Sequence, residues 1–100
     1  MPNYAFYVYI TTNPDKTVLY TGMTNDLVRR MQEHYETRGE EDKFAGRYHC
    51  YNLVYWEHHK YVRHAIEREK EIKGWRREKK LALINEFNPE WKPLNAEIQE

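Results

Sequence analysis

One hundred residues suffice for one domain and one core, and 40% hydrophobic, 15% aromatic and 32% charged residues describe a globular chain. A mean hydropathy of −1.05 leaves that core thin, and no apolar run nears the roughly 20 residues of a bilayer span. A single cysteine, Cys50, excludes an internal disulfide and a cysteine-rich zinc site, and the N-terminus does not read as a signal peptide, so a cytoplasmic setting away from membranes is expected. The formal net charge is zero, but it is unevenly spread. Lys60 to Lys80 carries nine Lys/Arg against four Glu, whereas Glu33 to Asp42 carries five acids against Arg38. Such asymmetry suits a surface that meets phosphates, and it equally suits a solvated, salt-bridged helix.

In chain order, Tyr4 to Thr12 is aromatic and β-branched and predicts a strand. Asn13-Pro14-Asp15-Lys16 is a polar turn, and Thr17 to Thr21 returns as a shorter strand ended by Gly22. Thr24-Asn25-Asp26 offers N-cap oxygens, and Leu27, Val28, Met31 and Tyr35 recur at helical spacing with Arg30 and His34 one turn apart. A weak helical turn is expected over Lys43 to Arg47, and a third strand over Cys50 to Glu57. A helix from about Tyr61 to Lys73 turns Val62, Ala65, Ile66 and Ile72 inward. Gly74 interrupts it, and Trp75 to Phe87 forms a last helix stopped by Asn88-Pro89. Trp91 and Leu94 pin the start of the tail. The expected fold is α+β: a small three-stranded antiparallel sheet flanked by helices, in the order strand, strand, helix, strand, helix, helix. One domain is expected over residues 1–95, with a short tail over 96–100.

Glu69 stands out because it shares a helix face with Val62, Ala65, Ile66 and Ile72. A carboxylate in an apolar stripe needs a cation, either a basic side chain or a metal ion. The same spacing also fits an exposed pair with Lys73, four residues on. Tyr7 and Tyr9 point to one face of the first strand, and Tyr20 can come beside them from the second. A tyrosine acts as a base near neutral pH only with cationic help, which Arg30 can supply.

Taken together, Tyr7-Val8-Tyr9, Tyr20-Thr21-Gly22, Arg30 eight residues after that glycine, His34 four further on, and Glu69 resemble the GIY-YIG nuclease family. Ala65 to Trp91 looks like the small stand-alone bacterial branch of that family. The resemblance implies phosphodiester hydrolysis with one divalent metal, Mg²⁺ or Mn²⁺, held by Glu69. It implies that Tyr9 orients or deprotonates the attacking water beside Tyr20, that Arg30 contacts the scissile phosphate, and that His34 assists. Arg29, Arg68, Lys73, Arg76 and Arg77 are expected to hold the strand's backbone, which reads no sequence. The expected partner is single-stranded, branched or duplex DNA, and the expected assembly is a monomer or a weak homodimer. The sequence departs from the family's pattern at Tyr7, Val8 and Thr21, and Met23 stands where some relatives carry a lysine. Asn95 is the nearest match to a late asparagine used by some relatives, at a different spacing.

Overall fold

The hairpin at the start of the chain is set by one side chain. Asn13 Oδ1 accepts from the Thr17 and Val18 amides at 2.8 and 2.9 Å, while Asn13 Nδ2 donates to Thr17 Oγ1 at 2.8 Å. Lys16 takes a left-handed φ of 59° to complete the turn. The strands it joins are β1 (Phe6–Thr12) and β2 (Leu19–Thr24), antiparallel, with Tyr9 opposite Gly22 and Thr11 opposite Tyr20. This computed structural model describes residues 5–99, so the Tyr4 start expected for the first strand lies outside the described residues.

The chain continues through α1 (Leu27–Glu36), α2 (Phe44–Arg47), β3 (Asn52–His59), α3 (Val62–Lys73) and α4 (Arg77–Phe87). The sheet order is β2-β1-β3 and both pairings are antiparallel, the α+β architecture expected from the sequence with the short α2 inserted before β3. Alternation along the strands divides the core between the two sheet faces. Val8, Ile10, Val54 and Tyr55 pack with Ala65, Ile72 and Ile84 under α3 and α4. Tyr9 and Leu53 pack with Leu27, Met31 and Leu94 under α1 and the tail. A bulge in β3 makes this division possible. Ile10 faces Tyr55 while Thr11 faces Leu53, so Val54 is the extra residue and joins Tyr55 on one face.

The outer edge of β3 is covered rather than left as a template for another chain. The Leu94 amide donates to Leu53 O at 2.7 Å, and Asn95 Oδ1 accepts from the Leu53 amide at 2.9 Å. Asn95 Nδ2 donates to Tyr51 O, and Asn88 Nδ2 donates to Val54 O. Asn95 is thus committed to holding the tail.

Four expectations change. β2 starts at Leu19, two residues later than expected, and runs to Thr24, so Gly22 lies inside the strand and does not end it. β3 starts and ends two residues later than expected. The last helix starts at Arg77, with Trp75 and Arg76 in the connection. Finally, Val62 and Ile66 are exposed and only Ala65 and Ile72 of α3 are buried, so the apolar stripe is narrower than the periodicity suggests. Among the described residues no second layer covers the outer half of that stripe.

Candidate active site

The site begins with Gly22. A Cβ built there would lie 2.5 Å from Tyr9 Oη and 2.6 Å from Tyr9 Cζ. The phenol of Tyr9 therefore lies directly over the glycine opposite it, and no larger residue leaves room. Tyr9 is fully buried, with its ring 6.3 Å from that of Tyr20.

α1 brings the partner. Thr24 Oγ1 accepts from the Asp26 amide, and Asp26 Oδ1 caps the helix by accepting from the Arg29 amide at 3.1 Å. Leu27 and Met31 bury the helix against the sheet, which carries His34, on the same side, over the hairpin. His34 Nε2 lies 2.8 Å from Tyr9 Oη, a buried hydrogen bond, and its ring stands edge-on to Tyr20 at 5.4 Å.

The electrostatics follow from this burial. Burial and the neighbouring Tyr20 push the Tyr9 phenol well above its ordinary value; Arg30 pulls it down and the charge of Glu69 pushes it up. Burial, then Arg30, lowers the His34 imidazole to about 4, against a smaller opposing effect of Glu33. Both rings are therefore uncharged at neutral pH. Arg30 Nε is buried without a hydrogen-bond partner, although it lies 3.3 Å from Glu33 Oε1.

Glu69 approaches from the other sheet face, on α3, and its charge acts on the Tyr9 phenol. Its carboxylate is partly exposed and pairs with Lys73 at 3.4 Å, the spacing-based alternative read from the sequence. Among the described residues no three His, Cys, Asp or Glu cluster tightly enough to form a metal cage. One accessible carboxylate oxygen set suits a hard cation that keeps most of its waters, and so fits Mg²⁺ or Mn²⁺ and not a thiolate- or imidazole-bound metal.

Of the residues assigned to strand binding, Arg29, Arg76 and Arg77 are exposed. Lys73 is half-exposed and shared with Glu69. Arg68 is committed elsewhere. Its Nε donates to both oxygens of Glu57 at 3.1 Å, its Nη1 donates to Glu71 at 3.0 Å, and its guanidinium covers Trp75. Tyr55 and His59 also bond Glu57, so Arg68 closes a polar cluster between β3 and α3 instead of facing a ligand. Sequence reasoning missed Phe44, whose ring stacks on Tyr20 at 6.0 Å and 29°. Its only signal was an apolar residue in a weak helical turn.

Comparison with known proteins gives the family. The profile of the GIY-YIG catalytic domain matches residues 5–82. The UPF0213 protein of Staphylococcus aureus strain Mu3 is 39% identical over 82 residues, which covers 82% of this chain and 96% of that protein. The UPF0213 protein SAV0488 of strain Mu50 matches to the same extent. The solution NMR structure of the UPF0213 protein BH0048 from Bacillus halodurans superposes with a TM-score of 0.53 and 28% identity, covering 94% of each chain. With the profile matching residues 5–82 and relatives of this identity and coverage, the chain belongs to the GIY-YIG catalytic-domain family.

Proposed function

We propose that this protein is a metal-dependent endonuclease that hydrolyses DNA phosphodiester bonds with little sequence preference, favouring single-stranded or branched DNA. The observation that carries the reading is the buried 2.8 Å bond between Tyr9 and His34, with Arg30 and Glu69 both acting on the same phenol. β2 is an edge strand of the sheet, so groups from its two faces can converge around its free side.

The chemistry assigned to each residue follows from its state. With its proton on Nδ1, neutral His34 accepts from Tyr9 through Nε2. Neither ring needs to ionise beforehand. Tyr9 Oη is buried in the free protein, so the step requires substrate binding to admit a water there; that water passes its proton to the oxygen while the phenol's own proton moves to His34 Nε2. The hydroxide so formed attacks phosphorus, the phosphorus–oxygen bond opposite breaks, and the leaving oxygen takes a proton from solvent. The partly exposed guanidinium of Arg30 bonds a non-bridging oxygen, where charge grows in the transition state. A divalent cation on Glu69 would neutralise phosphate oxygens. Arg29, Arg76 and Arg77 hold the backbone, and Lys73 moves from Glu69 to a phosphate when the carboxylate takes its cation.

The test uses end-labelled single-stranded, duplex and flapped DNA in Mg²⁺, Mn²⁺ or EDTA, with Glu69→Ala alongside. Cleavage should require metal, disappear in the variant and be weakest on flush duplex. One observation favours a second reading, a nucleic-acid-binding module without cleavage: Glu69 already has a cation in Lys73. Salt-sensitive binding with no cleavage in any metal would select it.

A further inference from the structure

α2 and its C-cap residue present two aromatic rings to solvent, and the turn is held too tightly for this to be slack. Phe44 is 53% exposed and Tyr48 39%, and their rings touch at 4.9 Å. Between them, Ala45 and Gly46 are buried. A Cβ at Gly46 would lie 2.5 Å from Thr37 O and 2.8 Å from Glu40 O, so the turn packs backbone to backbone against the preceding loop. The Gly39 amide donates to Gly46 O at 2.7 Å, and the Cys50 amide donates to Ala45 O at 2.8 Å. Gly39 itself needs a φ of 90° to make its contact. The result is a rigid mount for rings that a polar residue could replace without loss to the core.

Those rings continue the candidate site outward. Tyr9 bonds His34, His34 stands edge-on to Tyr20, Tyr20 is stacked by Phe44, and Phe44 touches Tyr48. The Arg47 guanidinium lies over Tyr48 at 5.6 Å. Before Phe44 stand Glu40, Glu41 and Asp42, which repel phosphates and outnumber the one cation among them, Lys43. A strand passing here gains little from its backbone, so any grip must come from the base faces.

We propose that Phe44 and Tyr48 form a stacking subsite for one unpaired nucleobase flanking the cleaved phosphodiester. This rests on the nuclease reading and adds its substrate determinant: in duplex DNA both faces of that base are already stacked, so a paired strand must first open there. Arg47 contributes a planar cation at the rim of the subsite.

Binding in EDTA separates this proposal from catalysis. Short single-stranded DNA carrying one abasic position, moved stepwise along the strand, is titrated against wild type, Phe44→Ala and Phe44→Trp at two salt concentrations. A parallel assay in Mn²⁺ locates the cut and reads the nuclease activity separately. One abasic position adjoining the cut should weaken wild-type binding about tenfold. Phe44→Ala should bind intact DNA as weakly as that, with no further loss from the abasic site and no change in salt slope, while Phe44→Trp restores binding. The abasic scan on wild type stands even if Phe44→Ala folds poorly. A penalty spread evenly along the strand, or Phe44→Ala binding intact DNA like wild type, would overturn the subsite. Absence of cleavage in Mn²⁺ would instead overturn the nuclease reading, whatever the stacking result; the position-specific penalty, wherever it fell, would then be the test of the subsite.

Discussion

Burial raises the Tyr9 phenol and lowers the His34 imidazole to about 4, so at neutral pH their 2.8 Å bond joins two uncharged rings. Tyr9→Phe removes the oxygen through which the proposed proton relay runs while keeping the ring over Gly22. Cleavage should fall about 100-fold or more, with a loss of only about 1 kcal/mol in urea unfolding from the unpaired Nε2. His34 also makes a prediction about stability. Its folded value lies below the unfolded value of about 6.5, so the unfolded chain binds the extra proton and stability falls as pH drops from about 6.5 towards 4. Across that window wild type should lose on the order of 2 kcal/mol more than His34→Gln, measured by urea midpoints. Equal losses would show that His34 is not held neutral.

Among the secondary-structure elements, α3 rests on the sheet through Ala65 and Ile72, two turns apart, with the Arg68–Glu57 pairing to one side. Burial pushes the Glu57 carboxyl up, but hydrogen bonds from Tyr55, His59 and Arg68 outweigh it and hold the group below its ordinary value. Glu57 therefore adds stability above the unfolded carboxyl value of about 4.3, and that contribution is lost as pH falls through the lower folded value. Glu57→Gln should cost about 1–3 kcal/mol at pH 7, a gap that shrinks towards pH 3. A gap independent of pH would mean that no ionised cluster joins β3 to α3. α3 also shows where sequence reading stops. The alternation of β1, the N-cap run before α1 and the helical spacing of Ala65 and Ile72 were legible because each is local. The β3 bulge, the two asparagines on its edge and the commitment of Arg68 to Glu57 were not. Each depends on a partner eleven or more residues away, which no short-range period records. α2 was legible only as a weak helical turn over Lys43 to Arg47, because backbone packing at Gly46, not an apolar stripe, holds it. In the candidate site, Tyr9, Tyr20 and His34 come together as expected, while the stacking of Phe44 on Tyr20 is a tertiary pairing that leaves no local pattern.

Over the whole molecule, a net charge of zero hides two surfaces of opposite sign. In the proposed complex the cations of α3 and α4 would hold the strand's phosphates, and the acids before α2 would not. Replacing Arg76 and Arg77 together with Gln should weaken DNA binding equally across sequences. On single strands the dependence of log K on log salt should become shallower by about 0.7 for each phosphate that is no longer neutralised. An unchanged slope would move the backbone track away from α4. No described helix is long and apolar enough to cross a membrane.

In the proposed reaction, Tyr9 on one sheet face and Glu69 on the helix covering the other serve one hydrolytic centre. The decisive experiment is single-turnover cleavage of single-stranded DNA in Mn²⁺ by wild type, Tyr9→Phe, Glu69→Gln and the double variant. Each single change should remove nearly all cleavage, and the double variant should be scarcely slower than either, as groups acting in one step behave. Singles that cleave like wild type, or losses that simply multiply in the double variant, would show that the two residues do not share a centre.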